Sequence, residues 1–340
     1  MAMTGEKKSL GQRPRRVTAQ TVAEQAGVSR SAVSRAFTKG AYLDAEKRRR
    51  ILSVAAEIGY QPNALAAGLK GGNSHLVAIF AGDLRNPYDT AFVSQLVGSL
   101  NAIQKWPLLI DGNGARAAQA LEEVLRYPLD ALILRGGSLS GEIVEQCARY
   151  GIPMISSGRP LSAPGVDTVC CRNDQGARMG AELLISGGRR RIGFLGGPPE
   201  LYSSCERRAG VMAALEAAGL RPVAEAVGDY TVDGGHAAAR ALLQEAGEID
   251  ALICGNDAMA IGALSAAREI GRAVPGDLAV IGFDDIDMAR WTCFDLTTVR
   301  NPIDAAVREI LRLLEARLGD PGKADETVFV DPVVKPRGTH

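Results

Sequence analysis

Two groups of polar side chains in this sequence have the types and spacing needed to hold a ligand. The first group, Arg30, Ser31, Ser34 and Arg35, directly follows Ser29, a residue suited to start a helix. Arginine can donate two hydrogen bonds to the O6 and N7 atoms of guanine, and serine can bond a base or a phosphate. We therefore predict that Arg30 and Ser31 contact DNA bases, with Arg35 beside a guanine or the backbone.

The second group follows a series of short apolar segments between residues 76 and 301. Its members are Tyr88, Asp89, Arg135, Arg207, Asn256, Asp284 and Asn301. If those segments are parallel strands, the side chains at their carboxyl ends converge on one cleft. Carboxylates, amides, guanidinium groups and aromatics together suit a hydroxyl-rich small molecule, so a sugar is the expected ligand.

Two members of this second group have an alternative interpretation. Asp89 either contacts the ligand or caps the helix that begins near it. Arg135 either contacts the ligand or pairs with an acid on the wall of the cleft. If Arg135 and Arg207 both face the cleft, their charge favours a carboxylate or phosphate on the ligand. A sugar acid, a phosphosugar and a neutral sugar therefore all stay open.

The elements that position the first group form a helix-turn-helix. Thr18 is suited to cap a helix over residues 19–26, Gly27 ends that helix, and Ser29 caps the next one. A third helix is expected to be capped by Asp44, to bury Ile51, Val54, Ala55 and Ile58, and to present Lys47, Arg48, Arg49 and Arg50 to phosphates. Thr18, Ser29 and Ser34 belong to the predicted DNA surface. The alternative is a three-helix domain whose outer face is merely solvated.

The distribution of charge favours a DNA-binding head on a different body. The whole chain has 39 basic and 39 acidic residues, yet residues 1–73 contain thirteen Lys and Arg against five Asp and Glu. The net charge is therefore +8 in that segment and −8 in the remainder. A basic segment attracts polyanions, whereas an acidic body avoids them. A protein that compacts DNA without sequence preference would need a basic surface throughout.

From residue 76 onward, apolar strands alternate with helical patterns. Strands are predicted at 76–80, 107–110, 131–134, 153–156, 168–171, 192–195, 251–254, 278–281, 297–299 and 328–330, and helices at 89–104, 114–126, 141–150, 175–186, 206–218, 234–246, 257–270 and 303–317. Near-continuous apolar strands with helical crossovers indicate parallel sheets that are covered on both faces. We predict an α/β core of two doubly wound parallel-sheet lobes plus an all-α helix-turn-helix domain.

Residues 17–71 closely resemble the headpiece and hinge of the LacI/GalR (lactose-repressor) family of bacterial transcription regulators. The resemblance includes the hinge pattern Tyr-x-Pro-Asn-x-x-Ala-x-x-Leu at residues 60–69. It implies that the hinge helices of a dimer enter the minor groove, where Leu69 wedges a base step and Asn63 and Lys70 lie at the DNA. Gly68 departs from the polar residue expected there. So short a helix is expected to fold only on its target.

Residues 75–335 resemble the effector-binding core of the same family, which is similar to periplasmic sugar-binding proteins. The matching segments are 254–263, 280–285 and, more briefly, 207–210. The resemblance implies that Arg207, Asn256 and Asp284 contact polar groups of the effector, and that Tyr88, Tyr230 and Asn301 line the pocket. Asp89 stands where the family commonly has an aromatic residue, and Arg135 stands at a strand end that is more often neutral.

Together these features predict a domain order and a mechanism. The predicted domains are a basic disordered tail (1–16), a headpiece (17–60), a hinge helix and linker (61–73), an N-terminal lobe (74–172 plus 302–330) and a C-terminal lobe (173–301 plus 331–340). A homodimer is expected to bind a pseudo-palindromic operator, and an effector between the lobes is expected to change its DNA affinity. Because no leucine heptads follow residue 333, a dimer is expected rather than a tetramer.

Other function classes are disfavoured. The three histidines and the glycine-rich turn at residues 193–198 form no catalytic triad, zinc cluster or phosphate loop, so we expect neither an enzyme, a cofactor nor a metal. A sugar-binding protein for transport would need a signal peptide and no DNA-binding head. No apolar run of about 18 residues occurs, so a cytoplasmic protein without a membrane anchor is expected.

The six cysteines are expected to be buried free thiols, with an oxidant-sensing role for Cys170 and Cys171 as the alternative.

Overall fold

The computed structural model describes residues 17–38, 40–63, 74–112, 116–136, 141–246 and 248–340. The chain divides into two compact units, Met1–Ser74 and His75–His340. The hinge residues Leu69 and Lys70, and the tail predicted at 1–16, lie outside the described residues.

The described part of the first unit is built from three short helices whose ends are set by the predicted residues. They are α1 (Ala19–Ala26), α2 (Arg30–Phe37) and α3 (Ala45–Glu57). Thr18, Ser29 and Asp44 cap them, each accepting a hydrogen bond from a backbone amide of the first turn. Gly27 has φ 63°, a conformation that favours glycine and lets the chain leave α1 sharply. The predicted caps are thereby confirmed.

The core of the first unit comes from one face of each helix. Val22, Val33 and Ile51 are almost completely buried there, and small alanines fill the space between them. The ring of Phe37 meets the ring of Tyr60 edge to face, with centroids 5.7 Å apart. Since the inward residues are apolar, the polar residues of α2 are left on the outside.

The second unit contains two parallel sheets flanked by helices. Its elements in chain order are β1 (Leu76–Ala81), α4 (Pro87–Ala102), β2 (Trp106–Asp111), α5 (Ala117–Val124), β3 (Ala131–Arg135), α6 (Gly141–Arg149), β4 (Met154–Ser157), β5 (Val166–Cys171), α7 (Asn173–Ser186), β6 (Ile192–Gly196), α8 (Tyr202–Ala217), β7 (Glu225–Val227), α9 (Val232–Glu245), β8 (Ala251–Cys254), α10 (Asp257–Glu269), β9 (Ala279–Asp284), a 3₁₀ turn (Asp287–Arg290), β10 (Thr297–Arg300), α11 (Ile303–Gly319), β11 (Thr327–Val330) and β12 (Val333–Lys335).

Among the residues that the structure describes, each sheet has six strands, and each sheet forms one lobe. The strand order is β11-β5-β4-β3-β1-β2 in the first sheet and β12-β10-β9-β8-β6-β7 in the second. All described pairings are parallel except that of β12 with β10. The chain passes three times between the lobes, after β5, β10 and β11. The two doubly wound lobes that the sequence predicts are confirmed.

Several elements differ from the sequence prediction. Strands β7 and β12 were not predicted, because three residues are too few to show a period. Helix α4 begins at Pro87, and its N-cap is Asn86, whose Oδ1 accepts a 3.0 Å hydrogen bond from the amide of Tyr88. The interpretation of Asp89 as the cap is therefore wrong, since Asp89 lies inside the first turn. Helix α8 likewise begins at Tyr202, four residues before its predicted start.

The central strands are buried on both faces, as their apolar sequences require. Every residue of β5, β6, β8 and β9 is buried, and helices such as α10 and α11 cover the sheets with alanine, leucine and isoleucine. None of the described helices combines the length and the apolar character needed to cross a membrane.

Candidate functional site

The predicted DNA-contacting residues form an exposed polar face on α2. Arg30, Ser31, Ser34 and Arg35 are all exposed. Ser31 Oγ lies 2.9 Å from Ser29 Oγ, and Arg35 Nε donates to the carbonyl of Ser31 at 3.4 Å. These local bonds hold the side chains of Ser31 and Arg35 against the helix.

The remaining DNA-contacting candidates have different environments. The hydroxyl groups of Thr18 and Ser29 accept amide hydrogen bonds at 3.3 Å, so both residues build helix starts on this surface. Asn63 is exposed at the end of the described headpiece. The loop between α2 and α3 also holds Tyr42, which is 91% exposed. Sequence reasoning missed this residue because a lone tyrosine in a loop carries no pattern. A phenol can donate to a phosphate.

One of the predicted phosphate contacts has a structural role instead. Arg48 donates to the carbonyl of Ala36 at 2.8 Å and to that of Ala41 at 2.6 Å. It therefore ties α3 to the end of α2 and to the following loop. Lys47, Arg49 and Arg50 are exposed beside it.

The second candidate site is a cavity of about 100 Å³ between the two lobes of the second unit. Seven of the eight predicted effector contacts line it: Tyr88, Asp89, Arg135, Arg207, Tyr230, Asp284 and Asn301. They come from both sheets, at the carboxyl ends of strands or in the helices that follow. The convergence is the one that parallel sheets produce at this edge.

Arg207 is the centre of the C-terminal wall. Its Nε donates to Asn173 Oδ1 at 3.0 Å, its Nη1 to the carbonyl of Gly255 at 2.6 Å, and its Nη2 to Asp284 Oδ1 at 2.8 Å. The guanidinium also stacks on Phe283, 3.8 Å from the ring centroid. Arg207 is thus held from three elements, and its direction in the cavity is predetermined.

The Arg207–Asp284 pair is buried, with side chains only 7% and 2% exposed. Burial lowers the pKa of Arg207, but the Asp284 carboxylate and Tyr230 more than offset this, so the pKa lies above its ordinary value. Burial raises the pKa of Asp284, and Arg207 opposes that rise. Removing one member would leave a buried charge without its partner.

Arg135 and Asp89 form a second ion pair on the N-terminal wall. Arg135 Nη2 lies 2.8 Å from Asp89 Oδ1, and Arg135 Nη1 donates to the carbonyl of Ser157 at 3.3 Å. The interpretation of Arg135 as the partner of an acid is confirmed, and that acid is Asp89. The charge that was expected to attract an anionic ligand therefore already has a counter-ion.

Tyr230 and Asn301 complete the described lining. The hydroxyl of Tyr230 lies 2.7 Å from Ser204 Oγ, and its ring passes so close to Gly197 that a Cβ there would clash with it at 2.1 Å. Asn301 is almost fully buried beside Asp284. Sequence reasoning missed Asn173, Tyr202 and Arg159, which also line the cavity. Asn173 could have been found, because it stands two positions after the predicted strand 168–171, as Asn256 does after the predicted strand 251–254.

Asn256 differs from its prediction as an effector contact. It does not line the cavity, and it is 1% exposed. Its Oδ1 accepts from the amide of Met259 at 2.9 Å, and its Nδ2 donates to the carbonyl of Tyr230 at 3.1 Å. The side chain is therefore used as the cap of α10 and as a support for the Tyr230 loop, because both its polar ends are engaged by backbone.

The next residue, Asp257, holds the loop that carries Asp284. Its Oδ2 accepts from the amide of Ile286 at 2.9 Å, and its Oδ1 is bonded to the hydroxyl of Thr298. Asp284 and Asp285 have φ values of 114° and 59°, which are strained for residues other than glycine. Asp257 therefore fixes an unfavourable backbone shape that directs Asp284 toward Arg207.

The surroundings of Asp257 shift its pKa upward. Burial, and then the charge of Asp284, raise the pKa well above the ordinary value. The Thr298 hydroxyl donates to Oδ1 and the Ile286 amide donates to Oδ2, and both bonds oppose the rise. An asparagine amide at this position could still accept from the Ile286 amide and could donate to the Thr298 hydroxyl.

Two neighbouring thiols also line the cavity. Burial raises the pKa of Cys170 to about 12 and that of Cys171 to about 12, so neither forms the reactive thiolate readily. Cys147 and Cys254 are buried too, whereas Cys205 and Cys293 are exposed, which differs from the expectation of six buried thiols.

Within the described parts of the chain, no three His, Cys, Asp or Glu residues are grouped to hold a metal ion.

Comparison with known proteins identifies both units. Residues 18–63 match the model of bacterial regulatory proteins of the lacI family, and residues 181–340 match a periplasmic binding protein-like domain. The chain is 32% identical to the HTH-type transcriptional regulator GalS of Salmonella typhimurium strain LT2, over 92% of each chain.

Two solved structures are similar over nearly the whole length. The transcriptional regulator CelR in complex with cellobiose is 28% identical in sequence and aligns with a TM-score of 0.72. The alignment covers 96% of this chain and 100% of the CelR chain. The lac repressor dimer bound to operator and the anti-inducer ONPF is 25% identical, with a TM-score of 0.83 and coverages of 96% and 99%. The chain belongs to the LacI family of bacterial regulatory proteins and is a DNA-binding transcriptional regulator.

Proposed function

We propose that this regulator binds a pseudo-palindromic operator as a homodimer and that a small polyhydroxylated effector, of monosaccharide size, controls its DNA affinity. The observation that carries the proposal is the interlobe cavity, which presents a buried Arg–Asp pair from each lobe. Sugar hydroxyl groups both donate and accept hydrogen bonds, so carboxylate and guanidinium groups suit them equally. Solved relatives hold cellobiose and ONPF, which supports a sugar-like ligand.

The size of the cavity supports a small effector. Sites for drug-sized ligands usually enclose about 300–1,000 Å³. The cavity here has about 100 Å³. A single sugar ring is therefore proposed rather than a disaccharide.

A ligand in this position contacts both lobes and so favours one interlobe arrangement over another. Such coupling is worth about 1–3 kcal/mol in known systems, which changes affinity by roughly 5–150-fold. We propose that the hinge residues Asn63, Leu69 and Lys70 transmit the change to DNA, and this step rests on the family resemblance. The role is regulatory rather than catalytic, and because the target is DNA we place the protein in the bacterial cytoplasm.

At the DNA end, we propose that Arg30 and Ser31 read bases, with Ser34, Arg35, Thr18 and Ser29 supporting the same surface. Substitution of an arginine that reads guanine and substitution of a lysine that contacts only phosphate affect DNA binding differently. Loss of the first relaxes the sequence preference at one position by about 1–3 kcal/mol, whereas loss of the second weakens all sites alike. Arg30 and Lys47 form such a contrasting pair of exposed residues.

The test is selection of binding sites from random duplex DNA by the full-length protein at stated salt, with and without pooled monosaccharides. We expect one palindrome to be enriched. Arg30→Ala should relax the preference at defined bases, and Lys47→Ala should weaken binding uniformly. The selected duplex then serves for titration with single sugars. Absence of any enriched palindrome under both conditions would refute operator-specific binding, and unchanged operator affinity with every sugar would refute effector control.

A further inference from the structure

The Asp89–Arg135 pair is a preformed unit in the wall of the cavity. Both residues line the cavity, yet their side chains are only 17% and 11% exposed. The guanidinium of Arg135 lies over two aromatic rings, 4.5 Å from the centroid of Phe92 and 5.3 Å from that of Tyr88. This apolar bed excludes water from one side of the pair, which strengthens the attraction between the two charges.

The backbone around the pair is shaped to admit it. Gly158 has φ 97°, and a Cβ at this residue would lie 2.4 Å from Arg135 Nη1. The Asp89 carboxylate fits against Gly82, where a Cβ would lie 3.4 Å from Oδ2. Arg135 therefore occupies space that a side chain at residue 158 would take. The ion pair is a fixed part of the wall.

The pairing decides how much charge this wall offers to a ligand. A buried guanidinium without a counter-ion would attract a carboxylate or phosphate strongly. Here Asp89 supplies the counter-ion, so an acidic ligand would gain attraction from Arg135 and suffer repulsion from Asp89 at nearly the same distance. A neutral hydroxyl avoids that conflict, because it can donate to Asp89 and accept from Arg135.

We propose that the Asp89–Arg135 pair is the specificity element of the effector site and selects a neutral sugar over the corresponding sugar acid. This inference rests on the proposed function, since it concerns the ligand of the same cavity. It predicts that the preference follows the net charge of the pair. Arg159 also borders the cavity, but it is the same in all four proteins of the test below, so it causes no difference in preference between them.

The test compares four full-length proteins. The wild type and the double variant Asp89→Asn/Arg135→Gln both have a neutral pair, Asp89→Asn leaves a positive charge, and Arg135→Gln leaves a negative charge. The probes are D-glucose and D-galactose against D-glucuronate and D-galacturonate, which differ from them only at C6. Binding is measured by calorimetry, and thermal shift is measured in parallel. Glu182→Gln, which breaks an exposed pair with Arg178, is the matched control.

We expect the wild type to bind a neutral sugar more tightly than its acid. Asp89→Asn should shift the acid-to-neutral affinity ratio toward the acid by about tenfold or more, since one charge-assisted bond is worth at least that factor. Arg135→Gln should shift the ratio the other way, and the double variant and Glu182→Gln should keep the wild-type ratio. If burial of an unpaired Arg135 lowers the Tm of Asp89→Asn, the acid should restore it more than the neutral sugar does.

The failures are distinguishable. A wild type that prefers the acids, or an affinity ratio that is the same in all four proteins, would overturn this inference and leave the proposed effector site standing. If none of the four probes bound the wild type, the proposed monosaccharide effector would fail and this inference would fail with it.

Discussion

Arg207 organises the C-terminal wall of the cavity, and replacing it with lysine tests that role while keeping its charge. Lysine can still reach Asp284, but it cannot form the planar fork that also bonds Asn173 at 3.0 Å and the carbonyl of Gly255 at 2.6 Å. Two hydrogen bonds from a charged donor are lost in a buried site, each worth about 1.5–3 kcal/mol. The expected loss in unfolding free energy is therefore about 3–6 kcal/mol.

The adjacent residue provides the control. Arg208 also bonds a carboxylate, with Nε 2.7 Å from Glu225 Oε2, but this pair is half exposed. Exposed pairs contribute about 0–1 kcal/mol, so Arg208→Lys should change little. For a unit of this size each kcal/mol shifts Tm by about 2–4 °C.

The assay is thermal unfolding of the full-length protein, followed at the transition of the larger unit. We expect Arg207→Lys to lower that Tm by about 6 °C or more, and Arg208→Lys to lower it by less than about 4 °C. Sugar binding should be lost only in Arg207→Lys. Equal Tm shifts in the two variants, or a shift below about 3 °C for Arg207→Lys, would refute the reasoning that the three bonds of Arg207 act together.

Three further predictions concern Gly158, Asp257 and Val33. Gly158→Ala should abolish the response to sugar in calorimetry, because the added methyl displaces Arg135, and unchanged affinity would contradict this. Asp257 has a raised pKa in the folded state, so its own contribution to stability should fall as pH rises above about 4. Asp257→Asn removes that contribution, so its urea midpoint should rise relative to that of the wild type between about pH 4 and 8, and parallel curves would count against a raised pKa of Asp257. Val33→Ala should destabilise the headpiece by about 1.5–3 kcal/mol, seen as faster hydrogen exchange in residues 19–57, whereas exposed Ser34→Ala should leave exchange unchanged.

Much of the local structure follows from sequence pattern. The caps Thr18, Ser29 and Asp44 were predicted because capping depends on residues three positions apart. The central strands were predicted because strands buried on both faces are apolar throughout. Strands β7 and β12 were missed because three residues at a sheet edge show neither signal.

Partner choice between distant residues was decided only by the tertiary structure. Arg207 and Asp284 are 77 positions apart, and only the order of strands in the second sheet brings them to 2.8 Å. The sequence showed that Arg135 was either a ligand contact or half of an ion pair, but it did not show which acid was near. Asn256 stands two positions after a strand, as a ligand contact would, yet the backbone groups of Tyr230 and Met259 engage both ends of its amide.

The sequence by itself therefore determined the type of most elements, the family and the edge of the sheets where the effector residues were expected, because these depend on periodicity, capping and motifs within short stretches. The tertiary structure decided which charges in the cavity neutralise each other and which polar groups remain for a ligand. The physical reason is that the free energy of a buried charge depends on what lies within a few ångströms of it. That distance is set by the arrangement of strands and helices within each lobe rather than by neighbours along the chain.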